Sequence, residues 1–345
     1  MVDGVEAVGH ARLRAAAGGE VWDARLGRAP AIVKRAPDVA GREAIAAEAA
    51  ALRAAGGPPA ARLLGEDRAR GALVRERIDG PPLPEWAAAA APAAVLEAFG
   101  ALADGLDRWA QAGLHHGDLS PGNVHPDAAG ALRILDFGPP GRGTAGFAAP
   151  QRDAGAAPDP ASDAFSLGAL LFFALTGGMP WGTDPAGAAC GPATRWPWVP
   201  GMIRAGVPAA ADALLRALLH RDPARRAPLR GLGAALRAAA AGPLGPPPDP
   251  RVVAAWGTLG ALGLEAVDRG LGAVVALRPG LPLDAVAAQM AAAFAADGAA
   301  EALVVVDPED ALDARAPGRI VLVKAGRLRP EWLSAGVLVL GQPAD

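Results

Sequence analysis

Short apolar runs of strand length open this chain, and longer apolar stretches with helical spacing follow them. The segments EVWDARL (20–26), PAIVKRA (30–36) and GALVRERI (71–78) read as β-strands. The most apolar stretch, AFSLGALLFFALTGGMPW from Ala164, holds three glycines and a proline around a short Leu/Phe run, so it predicts a buried core helix and not a membrane span. Between Ala239 and Pro250 the sequence AAAGPLGPPPDP removes backbone donors and favours an extended linker. Beyond it, GAVVAL (272–277), EALVVVD (301–307), GRIVLVK (318–324) and GVLVLG (336–341) are continuous apolar runs of strand length. The helix-like LDAVAAQMAAAFAA follows the first of them. The order predicts a sheet-rich lobe and a helical lobe within residues 1–240, a linker over 241–250, and a small α/β domain over 251–345.

Length and composition change this picture little. A chain of 345 residues suits two domains better than one core. Abundant Ala, Gly, Pro and Arg and the absence of Tyr inflate helix propensity in every window, so periodicity has to decide. With 33 basic against 36 acidic residues the net charge is −3, which supplies no global field for nucleic acid or an acidic membrane. Cys190 is the single cysteine; it excludes an intramolecular disulfide framework and reads as a packing residue in a reducing cytoplasm. The opening MVDGVEAVGHARLR has acids early and no apolar core, so an intracellular product is expected.

The chemistry concentrates in LHHGDLSPGNV (114–124) and ILDFG (134–138). Together these resemble the catalytic loop and the metal-binding loop of the protein-kinase superfamily, and in particular bacterial serine/threonine protein kinases of the eukaryotic-like type. Further matches follow in family order: Lys34, Glu48, Glu76, Asp163 in SDAFSLG and Arg226 in DPARRAP. The resemblance implies a bilobal α+β fold with a small β-rich N-lobe and a helical C-lobe, ATP and Mg²⁺ as cofactors, and a protein substrate. Phosphoryl transfer needs an acceptor for the substrate hydroxyl proton and oxygen ligands for the metal. By resemblance Asp118 takes the first task, while Asn123 and Asp136 hold Mg²⁺. Lys34 then reaches the α- and β-phosphates, steadied by Glu48, with Glu43 as the other candidate partner. Backbone groups around Glu76 and Ile78 bond adenine, and His116 is structural. Asp163 either bonds the catalytic-loop backbone or simply caps its helix. The stretch GTAGFAAPQR (143–152) resembles the segment that receives an acceptor peptide, with Thr144 placed to bond Asp118 and set a Ser/Thr preference.

Several positions depart from the family. In RAAAGGEVW the phosphate-covering loop keeps only Gly19, before Val21, with Arg14 and Ala16 at the earlier glycine places. Ile32 stands where a small residue is usual, His125 on the floor of the adenine site, and Arg75 just before the hinge. Gly117 replaces the Arg that ordinarily precedes the catalytic Asp, and Ser120 a Lys. Gln151 replaces the Glu that would pair with Arg226, leaving a neutral hydrogen bond in place of a charge pair. Only PPGR separates Gly138 from Gly143, and it carries no hydroxyl to phosphorylate.

After the linker, residues 272–294 resemble the strand, loop and helix of signalling NTPases but lack the Lys-Ser/Thr signature, which points to a sensor or docking module with a possible protein partner. Trp256, Trp332 and the Trp-rich RWPWVPGM (195–202) read as packing. The expectation is an active Ser/Thr kinase without nucleic-acid or membrane partners. A pseudokinase scaffold that binds nucleotide or a partner without turnover is the alternative, and a small-molecule kinase a third.

Overall fold

The structure is a computed structural model, and the residues it describes are 11–16, 19–137, 143–144, 146–153, 155–178, 200–220, 222–245 and 247, together with 299–306, 320–324 and 337–343. Five strands, β1 (Ala11–Ala16), β2 (Gly19–Leu26), β3 (Ala29–Arg35), β4 (Leu63–Asp67) and β5 (Ala72–Glu76), form an antiparallel sheet in the order β1-β2-β3-β5-β4. The three strand-like segments of the sequence are β2, β3 and β5. Alternation puts Ala31, Val33, Ala72 and Val74 on one face with Ala24, under Trp22 and Leu26. Leu73 turns to the other face, where it meets Ile45 and Ala49 of helix α1 (Val39–Ala55).

Helix α1 is fixed at both ends. Asp38 accepts a hydrogen bond from the Gly41 amide at 2.8 Å, and Gly56 ends the helix in the left-handed conformation. Its inward residues Ile45, Glu48, Ala49 and Leu52 follow helical spacing, so one carboxylate lies in an otherwise apolar stripe.

The helical lobe contains α2 (Leu83–Ala89), α3 (Pro92–Gln111), a hairpin of β6 (Val124–Pro126) and β7 (Leu132–Ile134), then α4 (Pro150–Asp153), α5 (Pro160–Thr176), α6 (Pro200–Ile203), α7 (Ala210–Leu218) and α8 (Leu232–Ala240). Helix α5 is the apolar stretch from Ala164. It begins with a capping box in which the Asp159 carboxylate accepts from the Ser162 amide while Ser162 Oγ accepts from the Asp159 amide. Its residues are buried almost all round, as an all-apolar helix requires, and its core is shared with Phe99, Leu102 and Leu106 of α3 and with Leu215 and Leu218 of α7. Among the described residues no helix is long and apolar enough to cross a membrane. The lobes are stitched where Ile134 donates to the Pro59 carbonyl at 2.7 Å and Ala61 donates back to the Ile134 carbonyl at 2.8 Å.

The Ala209 amide donates to the Pro243 carbonyl and the Gly245 amide to the Val207 carbonyl, so residues 243–245 of the Pro/Gly-rich stretch lie against the helical lobe. Farther along, β8 (Ala299–Val306), β9 (Ile320–Lys324) and β10 (Val337–Pro343) make an antiparallel sheet of their own, ordered β10-β8-β9. They coincide with three of the four apolar runs. The run at 272–277, the helix-like segment after it, Cys190, most of the Trp-rich segment at 195–202, Trp256 and Trp332 lie outside the described residues.

Candidate active site

The upper half of the cleft is built from charge. Lys34, near the end of β3, points its ammonium at α1, where Nζ donates to both carboxylate oxygens of Glu48 at 2.7 and 2.9 Å. The same Nζ lies 2.8 Å from Asp136 Oδ1, which joins the sheet to the loop after β7. Glu43, the other candidate, is exposed. Glu48 is buried, and its pKa is raised by that burial and by the nearby Asp136, against the pull of Lys34. Burial also works against ionisation of Asp136, but Lys34 and then Arg75 outweigh it and hold that carboxyl below its usual range. Asp136 keeps 30 % of its side chain open to the cleft.

The lower half is built from backbone. Asp163, on the first turn of α5, accepts the amides of His116 and Gly117, each at 2.8 Å, and is completely enclosed. The helix cap is Asp159, so Asp163 is free to hold the loop. Burial raises the Asp163 pKa, opposed by His116 and the two donated amides. His116 Nδ1 accepts from the Asp118 amide at 3.2 Å, so its proton sits on Nε2 and is given to the Asp136 carbonyl at 2.6 Å. One imidazole therefore fixes the spacing of the two aspartates. Phe137, next to Asp136, packs inward between Trp109 and the His116 ring, at 5.2 and 5.0 Å.

Around Asp118 the polar atoms converge. Asn123 Nδ2 donates to the Asp118 carbonyl at 2.7 Å and to its Oδ2 at 3.1 Å, and Thr144 Oγ1 donates to Oδ1 at 2.6 Å. The Leu135 amide donates to the Asn123 carbonyl at 2.8 Å, which ties Asn123 to the strand leading into Asp136. With its amide engaged, Asn123 has its side-chain carbonyl to offer a cation. No group of three or more His, Cys, Asp or Glu able to hold a metal exists among the described residues. A pair of hard oxygen donors opening on a cleft fits Mg²⁺, which keeps several waters and shares its shell with phosphates.

At the hinge, Glu76 turns its side chain away from the cleft, accepting from the Arg62 amide at 2.8 Å and pairing with Arg133. Ile78 follows in a half-buried loop. Ile32 and Arg75 face each other across β3 and β5, both buried, and His125 on β6 is half-buried. Burial and then the charge of Arg75 lower the His125 pKa. Gly19 has φ +116°, and a Cβ there would lie 2.2 Å from the Arg35 carbonyl oxygen, so only glycine fits where β2 crosses the end of β3; Val21 stands opposite Lys34. The sequence reading named Arg75 as a bulky intruder but missed that its Nη2 lies 3.4 Å from Asp136 Oδ1. The signal was available: Arg75 is two residues after Leu73 and so shares its inward face. Arg133, which links Glu76 to the Ala60 carbonyl, was also missed and carries no motif.

No protein-family model matches the chain. Similarity to individual proteins is clear. Over 132 residues it is 30 % identical to the serine/threonine-protein kinase PksC of Streptomyces coelicolor, covering 34 % of this chain and 24 % of that one. PknB of Mycobacterium tuberculosis is 29 % identical over 173 residues (45 % and 28 %), and drp72 of Corynebacterium efficiens 34 % over 137 residues (36 % and 26 %). The chain spans about a quarter of the length of these curated relatives. Over these stretches the chain resembles bacterial serine/threonine-protein kinases.

Two of the divergent positions have a local physical reason. Gly117 has φ +74°, and a Cβ there would sit 2.7 Å from Cγ of Pro158, so the arginine usual before the catalytic aspartate has no room. Gln151 Oε1 accepts from Arg226 Nη2 at 3.2 Å, the neutral bond expected from the sequence. Arg226 also donates to the His220 and Ala161 carbonyls and lies over Phe165, and burial lowers its pKa to about 10. Gly138 and residues 139–142 lie outside the described residues.

Proposed function

We propose that this chain transfers the γ-phosphate of ATP to Ser or Thr hydroxyls of proteins inside the cell, and that residues 251–345 dock a sensor input or a protein partner. The observation that carries the reading is the bond from Thr144 to Asp118, which brings the segment resembling a peptide-acceptor site onto the carboxylate resembling a catalytic base. Asp118 takes the proton of the incoming hydroxyl as its oxygen bonds to the γ-phosphorus and the bond to the β-phosphate oxygen breaks, releasing ADP. Lys34, held by Glu48, neutralises the α- and β-phosphates, while Gly19, Val21, Ile32 and the backbone of Glu76 and Ile78 surround the nucleotide. Asn123 and Asp136 would hold Mg²⁺, which when bound spreads the developing charge of the phosphates. His116, Asp163 and Arg226 are structural.

The test incubates the purified chain and its Asp118→Asn variant with labelled ATP, Mg²⁺ and generic protein acceptors. Wild type should label itself or an acceptor on Ser/Thr, and equal labelling by both proteins overturns the assignment. A second reading, a nucleotide-binding scaffold without turnover, is favoured by the contact of Arg75 with Asp136, and absence of any transfer despite nucleotide binding would select it.

A further inference from the structure

Arg75 is a guanidinium in an expensive place. It is 5 % exposed, its Nε finds no hydrogen-bond partner among the described residues, and its Nη1 donates to the Glu76 carbonyl at 3.1 Å. Among the described residues its one ionic partner is Asp136. Burying such a charge is tolerated only against a counter-charge, so Arg75 and Asp136 have to be treated as one unit. With Lys34 and Glu48 they form one cluster of two basic and two acidic side chains. Without Arg75 the same cluster would be more negative by one unit charge, which draws a divalent cation in more strongly.

We propose that Arg75 acts as a built-in counter-ion that weakens Mg²⁺ at Asp136 and so makes nucleotide binding by this chain largely independent of the metal. The inference rests on reading the cleft as an ATP site. Metal and nucleotide are linked: whatever weakens Mg²⁺ in the nucleotide-bound cleft, with its affinity for free nucleotide unchanged, lowers by the same factor the help that Mg²⁺ gives the nucleotide. In the other direction, an extra buried cation beside Lys34 reduces the repulsion that a metal-free polyphosphate meets in the cleft.

The probe is N-methylanthraniloyl AMP-PNP, a fluorescent ATP analogue that is not turned over, titrated into the full chain in EDTA and again in excess Mg²⁺. For wild type the two dissociation constants should agree within about threefold, and in Arg75→Met their ratio should widen by at least about tenfold in favour of Mg²⁺, as removal of one nearby unit charge demands. Arg75→Lys, which retains the charge, should stay close to wild type. If Arg75→Met does not fold, Arg75→Gln keeps a hydrogen bond to the Glu76 carbonyl without the charge and must move the same way. A wild-type ratio of about thirtyfold or more would overturn the proposal without any variant, and so would an unchanged ratio in a folded neutral variant. Failure to bind in either buffer would overturn the nucleotide-site reading itself and this inference with it.

Discussion

Asp136, partly open to the cleft, and Asp163, buried beneath the loop, both bond to His116, and the chain stabilises them by opposite means. Asp136 is held by side-chain cations, Lys34 and Arg75, across the gap between sheet and helical lobe. Asp163 is held by two backbone amides of a single loop. Side-chain cations sit on long, rotatable stems and exchange for other charges, whereas amides cannot leave. The first arrangement suits a carboxylate that must accept ligands, the second one that must keep a loop in place.

The comparison breaks hardest where its two halves meet. Asp118→Asn keeps the backbone bond from Asn123 and an oxygen for Thr144 but cannot take a proton. Transfer from labelled ATP should therefore fall by roughly 10²- to 10⁴-fold with the melting temperature little changed. Lys34→Met leaves Glu48 buried without its partner and should cost about 3 kcal/mol of stability in urea denaturation, besides abolishing turnover. Its penalty depends on pH. A buried carboxyl whose folded pKa is raised contributes stability at low pH that is lost as pH rises through that pKa, and removing Lys34 raises Glu48 further. The cost of Lys34→Met should thus shrink between about pH 8 and about pH 5, and a constant penalty would contradict the account.

For the amide-held carboxylate a smaller effect is expected. Asp163→Asn presents an NH₂ group to one of two buried donors, so it should lose about 2 kcal/mol in the same denaturation assay. Turnover should fall while nucleotide affinity holds, since no nucleotide-facing charge has changed; a parallel loss of affinity would blur the distinction. Smallest is Gln151→Glu. Among the described residues Gln151 Nε2 is buried without a partner while Oε1 meets Arg226, so a carboxylate removes an orphan donor and adds a counter-charge. A gain of about 1 kcal/mol, read as a higher melting temperature, is expected.

Much of the site was legible before any coordinates. Lys34, Glu48, Asp118, Asn123, Asp136, Thr144 and Asp163 stand out in short motifs of fixed order, and the structure supplies them from a strand, two helices and the loops between. The lobes were legible too, since β2, β3 and β5 carry short apolar runs of strand length and most of α5 is apolar. Less visible were contacts made by residues distant in sequence with no motif around them. The bond of Arg133 to Glu76 spans two sheets, and the approach of Arg75 to Asp136 depends on how closely β5 comes to the loop after β7. Period-two alternation fixes which way a side chain points, not what it meets.

Gly117 carries an evolutionary consequence. Gating by a phosphorylated loop needs a cation just before the aspartate read as the catalytic base and a hydroxyl nearby; position 117 is glycine, and the segment PPGR at 139–142 supplies no hydroxyl. Placing arginine at position 117 alone forces a Cβ against Pro158 in a left-handed backbone, so that first step damages the fold before any phosphate can reward it. Relief requires a change at Pro158, and then a new hydroxyl in the short loop. A lineage with this loop can lose such gating by drift but regains it only through several coordinated substitutions. An engineered phospho-switch should accordingly start by replacing Pro158 and lengthening the segment after Gly138, with position 117 altered last.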